Sequence, residues 1–368
     1  MDEQKPDACP VGGSEADLSS GFDMFDADYN ANPGPIWKEM RETCPFSRTE
    51  ERGGFWVTTT YEDAQALVRR VPELSNRQVS VVDMPEDTDL TADYHTRAFP
   101  PITMDPPENI PLRRLLLPFF TPKAVETYRP HTEALCNELI DGFIDKGACD
   151  AAVDYAQQIT PRVISRILGV DPNQSDEFVG WVRGLIELGF DNPEMRAENH
   201  KHLVIFFSEQ LELRRENPTD DLISLLANQT VNGEPIADKT IVKMCVLTLA
   251  AGIDTTWSSI GSSMLHFATH PEDRRRLVRE PELFATAIEE MLRLHAPVSV
   301  GRVAMEDVEH NDATIKRGDR LVINFPAANR DPAVFDNPDE AILDRERNRH
   351  IAFGIGVHRC AGSNLARM

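Results

Sequence analysis

A helical periodicity through about half of the chain places the strongest constraint on its fold. Between Leu112 and Leu294, apolar residues recur three and four positions apart, the spacing that amphipathic helices require. Proline and glycine separate the periodic segments from one another and mark their ends. The segments are 123–145, 152–168, 176–190, 198–215, 236–269 and 282–294. This pattern predicts a helix-rich body.

Short β-branched runs lie on either side of that body. Residues 54–58, 298–300, 313–315 and 321–323 have strand-like composition, which predicts small sheets at both ends of the sequence. The fold class is therefore mainly α, with an α+β arrangement in which small β-sheets accompany the helices. We expect a disordered acidic leader over 1–20 and a single domain over 21–368.

Two further local patterns complete this outline. Helical spacing begins at Tyr61 and runs to Val71, where Pro72 stops it. Residues 79–107 carry several prolines and aspartates without a sustained period, so we expect a long loop of the kind that often covers a binding site.

The charge balance excludes several classes of function. The 368 residues contain 38 Lys+Arg and 61 Asp+Glu, a net charge of −23, whereas nucleic-acid binding requires clustered cations. The same deficit argues against electrostatic attachment to an anionic membrane. The most apolar stretch, Met244 to Ile253, is too short to span a bilayer. The acidic N-terminus is no secretory signal, and the six scattered cysteines predict reduced thiols in a cytoplasmic protein.

The segment Phe353 to Gly362, with the sequence FGIGVHRCAG, has the strongest chemical content. Gly354 and Gly356 allow the backbone to approach a flat object closely. Cys360 is expected at the start of a helix, as a buried thiolate that the helix dipole stabilises. One cysteine cannot complete a zinc site, but one axial thiolate suffices for haem iron. The alternative is a glycine turn before a helix that carries a core cysteine.

These residues resemble the haem-binding signature of the cytochrome P450 family. Four further motifs occur in the order that the family has. They are Glu290 to Arg293 with Arg345, Ala251 to Thr256, Asp105 to Glu108 followed by Arg113, and Ala328 to Pro332. The resemblance covers about residues 20–368 and implies the cytochrome P450 fold of the soluble bacterial type.

The resemblance also implies a cofactor site. The cofactor would be haem b, with iron bound by the Cys360 thiolate as the one metal ligand from the chain. Its carboxylates would contact Arg113, Arg302 and His358, and Asn109 stands where the family often has histidine. The cofactor-binding set implied in this way is Cys360, Arg113, Arg302, His358, Asn109, Phe353, Gly354, Gly356, Ala251 and Gly362.

Glu290, Arg293 and Arg345 match a buried structural network of the family. Taken alone, Glu290 and Arg293 have the spacing of an ordinary surface pair on a helix. The apolar residues around them, Ile288 and Leu292 among others, leave little polar face. A buried network that supports the segment before the cysteine is therefore expected.

The activity that the resemblance implies is that of a haem-thiolate monooxygenase. It would insert one oxygen atom from O2 into a small hydrophobic substrate. Asp254 and Thr255 would be the catalytic pair that delivers protons, in a helix whose glycine and threonines allow local opening. The alternatives are a peroxide-driven peroxygenase, whose known members lack such an acid–alcohol pair, and a non-enzymatic haem sensor.

The substrate pocket is expected to be apolar. Its candidate walls are the loop 79–103, residues 181–207, Leu247, Thr248 and Ala251, and Val298 and Val300. No fixed charge is expected among these walls, which favours a terpenoid, steroid or aromatic substrate over an acid or an amine.

Electrons must come from a separate protein, because the chain lacks a flavin or nicotinamide fingerprint. The resemblance implies a ferredoxin or flavodoxin. Residues 345–359 carry Arg345, Arg347, Arg349 and Arg359 against the single acid Glu346. These charges are either scattered and solvated or form a basic docking face for an acidic partner.

The chain stops at Met368, eight residues after Cys360. The family normally continues for some tens of residues, so the sequence is expected to be incomplete at its C-terminus. Weakened haem retention would follow if nothing else were expressed.

Overall fold

The computed structural model describes residues 21–82, 88–92 and 99–368. The predicted leader 1–20 and parts of the predicted loop 79–107 lie outside these residues. The described chain divides into two compact units, which we call the strand-rich unit and the helical unit. The strand-rich unit combines the segment before residue 99 with 103–106 and 285–359, and the helical unit combines 99–102, 107–284 and 360–368. The single domain over 21–368 stays a prediction.

Helices account for most of the regular structure. They are α1 (Ala27–Ala31), α2 (Pro33–Thr43), α3 (Tyr61–Leu67), α4 (Asn109–Leu116), α5 (Pro122–Ile144), α6 (Gln157–Leu168), α7 (Ser175–Ile186), α8 (Pro193–Glu216), α9 (Leu222–Ala227), α10 (Asp238–Thr269), α11 (Pro271–Arg279), α12 (Phe284–Leu294), α13 (Phe325–Ala328) and α14 (Ser363–Arg367). The mainly α prediction is confirmed.

The strands are short. They are β1 (Phe46–Thr49), β2 (Phe55–Thr58), β3 (Leu74–Ser75), β4 (Thr230–Val231), β5 (Glu234–Pro235), β6 (Val300–Ala304), β7 (Val308–His310), β8 (Ala313–Ile315) and β9 (Arg320–Ile323). The strand-rich unit holds a five-stranded sheet in the order β1-β2-β9-β6-β3 and the hairpin β7-β8. In the larger sheet β2 and β9 run parallel, whereas the other neighbours are antiparallel.

The larger sheet is buried on both faces, and successive residues of its strands belong to two different apolar clusters. Trp56, Leu321 and Ile323 belong to one apolar cluster, while Val57 and Val322, the neighbours of these residues, belong to another. Successive side chains of a strand point to opposite faces, so two cores form on one sheet. This explains why these strands are apolar throughout.

A glycine allows a loop to approach the sheet at β6. The Gly301 N–H donates to the Val79 carbonyl at 2.8 Å, and a Cβ at Gly301 would lie 2.9 Å from backbone atoms of Val79 and Ser80. No other residue type permits so close an approach. The next residue of β6, Arg302, is thereby held next to the predicted loop segment.

In the helical unit, the predicted helix 152–168 is interrupted near its start. Residues Ala151–Ala156 form one π-helical turn, and the regular α-helix begins at Gln157. Pro161 lacks the N–H that would bond to the Gln157 carbonyl. The break therefore falls where the helical hydrogen bonds are disrupted.

Two general findings concern the whole described chain. No helix in residues 21–82, 88–92 or 99–368 is long and apolar enough to cross a membrane. Cys44 is disulfide-bonded, so the prediction of reduced thiols is wrong for this residue. Cys136, Cys149, Cys245 and Cys360 are not disulfide-bonded within the described part of the chain.

Candidate active site

One face of α10 forms an open row of residues spaced four apart. Lys239 and Ala251 are exposed on this row, and Lys243, Leu247 and Thr255 are partly exposed. Nearly all other side chains of α10 between 241 and 253 are buried. Residues four apart are neighbours on a helix surface and shift by about 40° at each step, so the row winds gradually around α10 toward the predicted catalytic pair.

Thr255 lies at the C-terminal end of the open row. Its hydroxyl donates to the Ala251 carbonyl at 3.0 Å, and Ser259 donates in the same way to the Thr255 carbonyl at 2.9 Å. Despite the local opening expected from the sequence, α10 is a continuous helix through this segment. Each hydroxyl adds to the bonding of a backbone carbonyl and the helix stays intact.

Asp254 has an environment that favours its protonated form. Burial, and to a smaller extent the charge of Glu187, raise the pKa of this carboxyl to about 6. The Trp257 side chain, through a hydrogen bond, and the charge of Arg183 act in the opposite direction. Arg183 of α7 is paired with Glu187, the residue that follows this helix, with 2.7 Å between Nε and Oε2. A carboxyl with such a pKa exchanges protons near neutral pH.

Gly252 determines how closely α6 approaches α10. A Cβ at this position would lie 2.8 Å from Cδ1 of Ile164, shorter than any normal contact. The glycine next to the predicted catalytic pair therefore has a packing role.

Cys360 belongs to the helical unit and is exposed. The expectation of a buried thiolate at the first turn of a helix is wrong on both points, since α14 begins three residues later at Ser363. Ala361 and Gly362 form a turn before that helix, and a Cβ at Gly362 would lie 4.0 Å from Sγ of Cys360, so a larger residue there would place its side chain next to the thiol. Asn364 anchors the segment by donating to the Phe120 carbonyl at 2.9 Å.

Asn109 and Arg113 lie one turn apart on α4. Asn109 is 1% exposed, and its Oδ1 has no hydrogen-bond partner in the part of the chain that the structure describes. Arg113 is partly buried. A buried amide of this kind points to a polar group that completes its bonding.

The residues before the cysteine lie in the strand-rich unit. Gly354 and Gly356 have φ values of 63° and 74°, in the left-handed region that glycine adopts without strain. Phe353 packs against the apolar cluster of Leu292, Ala296 and Ala352. This part of the signature is thus a tight left-handed turn that packs against α12.

Arg302 is a buried cation with few partners. It is 2% exposed, its Nη1 donates to the Gly301 carbonyl at 2.7 Å, and its Nε has no partner among the described residues. Burial lowers its pKa to about 10, although the charge of Asp105 opposes this change. A buried guanidinium with an unused donor fits an anionic group.

His358 and Asp105 face each other in the same unit. Nε2 of His358 lies 3.6 Å from Oδ1 of Asp105. Asp105 also accepts hydrogen bonds from the Ser75 hydroxyl and the Asn76 N–H. Although burial alone would raise its pKa, these hydrogen bonds and His358 lower it. Asp105 therefore holds the imidazole in place.

Glu290, Arg293 and Arg345 form one buried network. Arg293 binds Glu290 through two hydrogen bonds of 2.8 Å, and Nε of Arg345 lies 3.0 and 3.1 Å from the same carboxylate. The Ile342 N–H and the Asn348 amide also donate to it. Arg293 bonds further to backbone carbonyls of residues 329, 338 and 340. All these bonds join α12 to the chain that leads to Phe353.

Comparison with known proteins identifies the family. Residues 190–368 match the family model described as Cytochrome P450. The polyketide biosynthesis cytochrome P450 PksS of Bacillus subtilis (strain 168) is 31% identical over 94% of this chain and 88% of its own length. The chain belongs to the cytochrome P450 family. A crystal structure of the bacillaene polyketide synthase cytochrome P450 PksS matches with a TM-score of 0.83 over the same shares of both chains.

Two further relatives have activities in their names. Mycinamicin IV hydroxylase/epoxidase of Micromonospora griseorubida is 33% identical over 90% of this chain and 83% of its own length. Vitamin D(3) 25-hydroxylase of Pseudonocardia autotrophica is 32% identical over 94% and 85%. This cytochrome P450 is thus a monooxygenase that uses haem b, with iron bound by a cysteine thiolate, and it requires an electron donor.

The residues present fit that cofactor. Cys360 offers an exposed thiol, and Arg302 offers a buried cation with an unused Nε for a haem carboxylate. Among the described residues no cluster of three or more His, Cys, Asp or Glu could hold a different metal ion.

Sequence reasoning about the charges near this site was incomplete. Arg345 was expected in the Glu290 network and was also counted among the cations of the basic stretch 345–359; the structure pairs it with Glu290. Lys243 and His200 were overlooked, although both lie within or next to the predicted pocket walls. The spacing of Lys243, four residues before Leu247, was the available signal.

Proposed function

We propose that this cytochrome P450 inserts one oxygen atom of O2 into a hydrophobic substrate, with Cys360 as the iron ligand and a ferredoxin or flavodoxin as electron donor. The observation that carries the proposal is the open row of α10, which leads over Leu247 and Ala251 to Thr255 and Asp254. An apolar surface that ends at a hydroxyl and a carboxyl with a pKa of about 6 suits oxidation of an apolar substrate with controlled proton supply.

The bound haem supplies oxygen activation and the electron density of its thiolate ligand. The chain supplies the surroundings. Arg302, His358, Arg113 and Asn109 would hold the haem carboxylates by charge and hydrogen bonds. The left-handed turn at Gly354 and Gly356 would present the cysteine.

Asp254 and Thr255 have complementary roles in this proposal. The Asp254 carboxyl takes up a proton from water near neutral pH and releases it toward the reaction site. The Thr255 hydroxyl, which bonds to the Ala251 carbonyl at 3.0 Å, can rotate to donate to a bound oxygen or water. Apolar neighbours limit the entry of other water molecules.

A cluster of exposed arginines in the strand-rich unit supports the choice of an acidic electron donor. Arg347, Arg349 and Arg359 are exposed. Arg69 adds to them, because its side chain packs beside Gly356 and its charge, like that of Arg349, acts on Tyr61. Clustered cations steer an acidic protein to this face.

The reduced carbon monoxide spectrum tests the ligand. We expect the holoenzyme to show the absorption band characteristic of a haem thiolate, and Cys360→Ser to lose that band. Cys149→Ser, which changes another exposed free thiol, is the matched control and should leave it unchanged. A band that survives in Cys360→Ser would refute the assignment.

The Thr255→Ala variant tests the proton role in the same preparation. We expect a loss of coupling between electron consumption and product, because the hydroxyl at the reaction site is gone. Ser259→Ala removes the equivalent hydroxyl one turn along α10 and should keep the coupling of the wild type. Equal coupling in both variants would contradict the role.

A further inference from the structure

We propose that Trp257 is a positioning residue for proton delivery by Asp254: its indole N–H holds the ionised carboxylate on the buried face of α10, away from Thr255. The inference rests on the proposed function, since it concerns the control of that same site. Trp257 is not among the site residues predicted from the sequence.

The positions of these three residues on α10 set the arrangement. Successive residues of a helix are about 100° apart, so Thr255 and Trp257 lie on nearly opposite sides, about 160° from each other. Asp254 lies between them, about 60° from Trp257 and about 100° from Thr255. Thr255 is partly exposed on the open row, whereas Trp257 is buried, with an exposure of 7%. The carboxyl of Asp254 can therefore turn toward the buried indole or toward the open row.

In the structure the carboxylate is turned toward the indole. The Trp257 side chain donates a hydrogen bond to Asp254, three residues before it, a spacing at which side chains on a helix are neighbours. An indole N–H can donate but cannot accept, so Trp257 cannot pass a proton onward and its role is positional. A buried indole also needs an acceptor for its N–H, which Asp254 provides.

The charged groups of the neighbouring helices leave this role to the indole. Arg183 of α7 attracts the carboxylate of Asp254, but its guanidinium is bonded at 2.7 and 3.0 Å to Glu187, which repels that carboxylate. Arg162 of α6, which also packs against α10, donates to the Gln158 carbonyl at 3.3 Å. Among the described side chains that act on Asp254, the indole is the one that donates a hydrogen bond.

The bond discriminates between the two protonation states of Asp254. Hydrogen bonds to ionised acceptors are stronger than those to neutral ones, so the indole holds the carboxylate and releases the protonated carboxyl more easily. A protonated Asp254 can turn toward Thr255 and pass on its proton, and the resulting carboxylate returns to the indole until it takes up a proton from water. The same bond limits how far burial and Glu187 raise the pKa of Asp254.

The Trp257→Phe variant removes the donor and keeps an aromatic ring. Because the bond favours the ionised carboxylate, its loss should raise the pKa of Asp254 and move the pH midpoint of coupling between electron consumption and product up by about one pH unit. The second measurement is the pH dependence of the stability difference between each protein and its Asp254→Asn variant, whose midpoint should move up by the same amount. A tryptophan with a structural role alone would lower stability at every pH without moving either midpoint.

The Trp257→Gln variant makes the opposite change, because it keeps an N–H donor and loses the ring. We expect its two midpoints to lie closer to those of the wild type than the midpoints of Trp257→Phe do, although its stability is lower. The reverse order would show that the ring, and not the donor, sets the midpoints.

The control is Trp56→Phe, the same substitution at a tryptophan of the strand-rich unit whose Nε1 donates to Oδ2 of Asp319 at 2.9 Å. It should lower stability and leave both midpoints unchanged. Unmoved midpoints in Trp257→Phe, or an equal movement in Trp56→Phe, would overturn the proposal. The carbon monoxide spectrum separates the outcomes: a normal thiolate band with unmoved midpoints rejects the role of Trp257 alone, whereas a wild type without that band rejects the proposed function.

Discussion

The carboxylates of the Glu290 network and of the open row of α10 have pKa values that are shifted in opposite directions. Glu290 is completely buried and accepts hydrogen bonds from two arginines, an amide and a backbone N–H, so these partners lower its pKa despite the effect of burial. Asp254 is also buried to a large extent, and here burial, with a smaller contribution from the charge of Glu187, raises the pKa to about 6 because no comparable set of donors offsets it. The number and sign of the partners, and not burial itself, separate a structural carboxylate from a chemical one.

Arg293 and Arg302 extend this comparison to cations. Both guanidiniums are buried in the strand-rich unit. Arg293 bonds to a carboxylate and to three carbonyls, whereas Nε of Arg302 lacks a partner among the described residues. Arg293 therefore stabilises the fold, whereas Arg302 retains an N–H donor that a ligand can use.

The Arg293→Met substitution should have the largest effect. It leaves Glu290 buried with one arginine fewer and removes the bonds to residues 329, 338 and 340, at a cost of about 3–5 kcal/mol. Denaturant unfolding measures this loss. Arg347→Met, which replaces an exposed arginine, should change stability by less than about 0.5 kcal/mol. Similar midpoints for the two variants would show that the network is not structural.

Arg302→Met should increase the free energy of unfolding of the haem-free protein, in contrast to Arg293→Met. Burial lowers the pKa of Arg302 from the ordinary arginine value to about 10, so keeping the charged form buried at pH 7 costs about 3 kcal/mol. We expect the haem-free variant to be more stable by a similar amount and the holoenzyme to lose haem faster. A variant that is less stable without haem would place Arg302 with Arg293 as a structural cation.

Asp254→Asn tests the chemical carboxylate through pH. The folded-state pKa of about 6 lies above the ordinary value of 3.8, so the protonated carboxyl contributes stability that is present below pH 3.8 and lost as pH rises through 6. At pH 8 the neutral asparagine avoids this penalty, and the variant should be more stable by about 2 kcal/mol. At pH 3.5 the two proteins should be equal.

The control for this pH profile is Asp238→Asn, which changes the exposed acid at the first residue of α10. Asp238 pairs with Arg215 and favours the helix N-terminus, so its loss should not stabilise the protein at pH 8. A flat difference between Asp254→Asn and the wild type from pH 3.5 to 8 would contradict the raised pKa.

The smallest effect is expected at Gly252, which allows α6 to pack closely against α10 and whose role involves no charge. Gly252→Ala should cost about 1 kcal/mol through the contact with Ile164, partly offset by the better helix propensity of alanine. Ile164→Val should reduce this cost by removing the Cδ1 atom. Thermal unfolding of both single variants and the double variant measures the coupling, and additive effects would refute the contact.

Many of the helices could be predicted from local sequence patterns. Segment 123–145 became α5 and segment 236–269 became α10 within two residues, because helical periodicity over many turns is a strong signal. The strands β1 and β3 were not predicted, since they are short and obtain their pairing from residues distant in sequence. The helix predicted from Tyr61 to Val71 ends at Leu67, five residues before the proline that was expected to stop it.

The sequence itself determined the cysteine segment, the acid–alcohol pair and the motif order that marks a cytochrome P450, because each is a short pattern of neighbouring residues. The tertiary structure decided how the charges are used. It left Nε of Arg302 without a partner among the described residues and placed Glu187 where its charge raises the pKa of Asp254. Partners and burial depend on contacts between distant segments, and these contacts set the pKa and the role of each charged group.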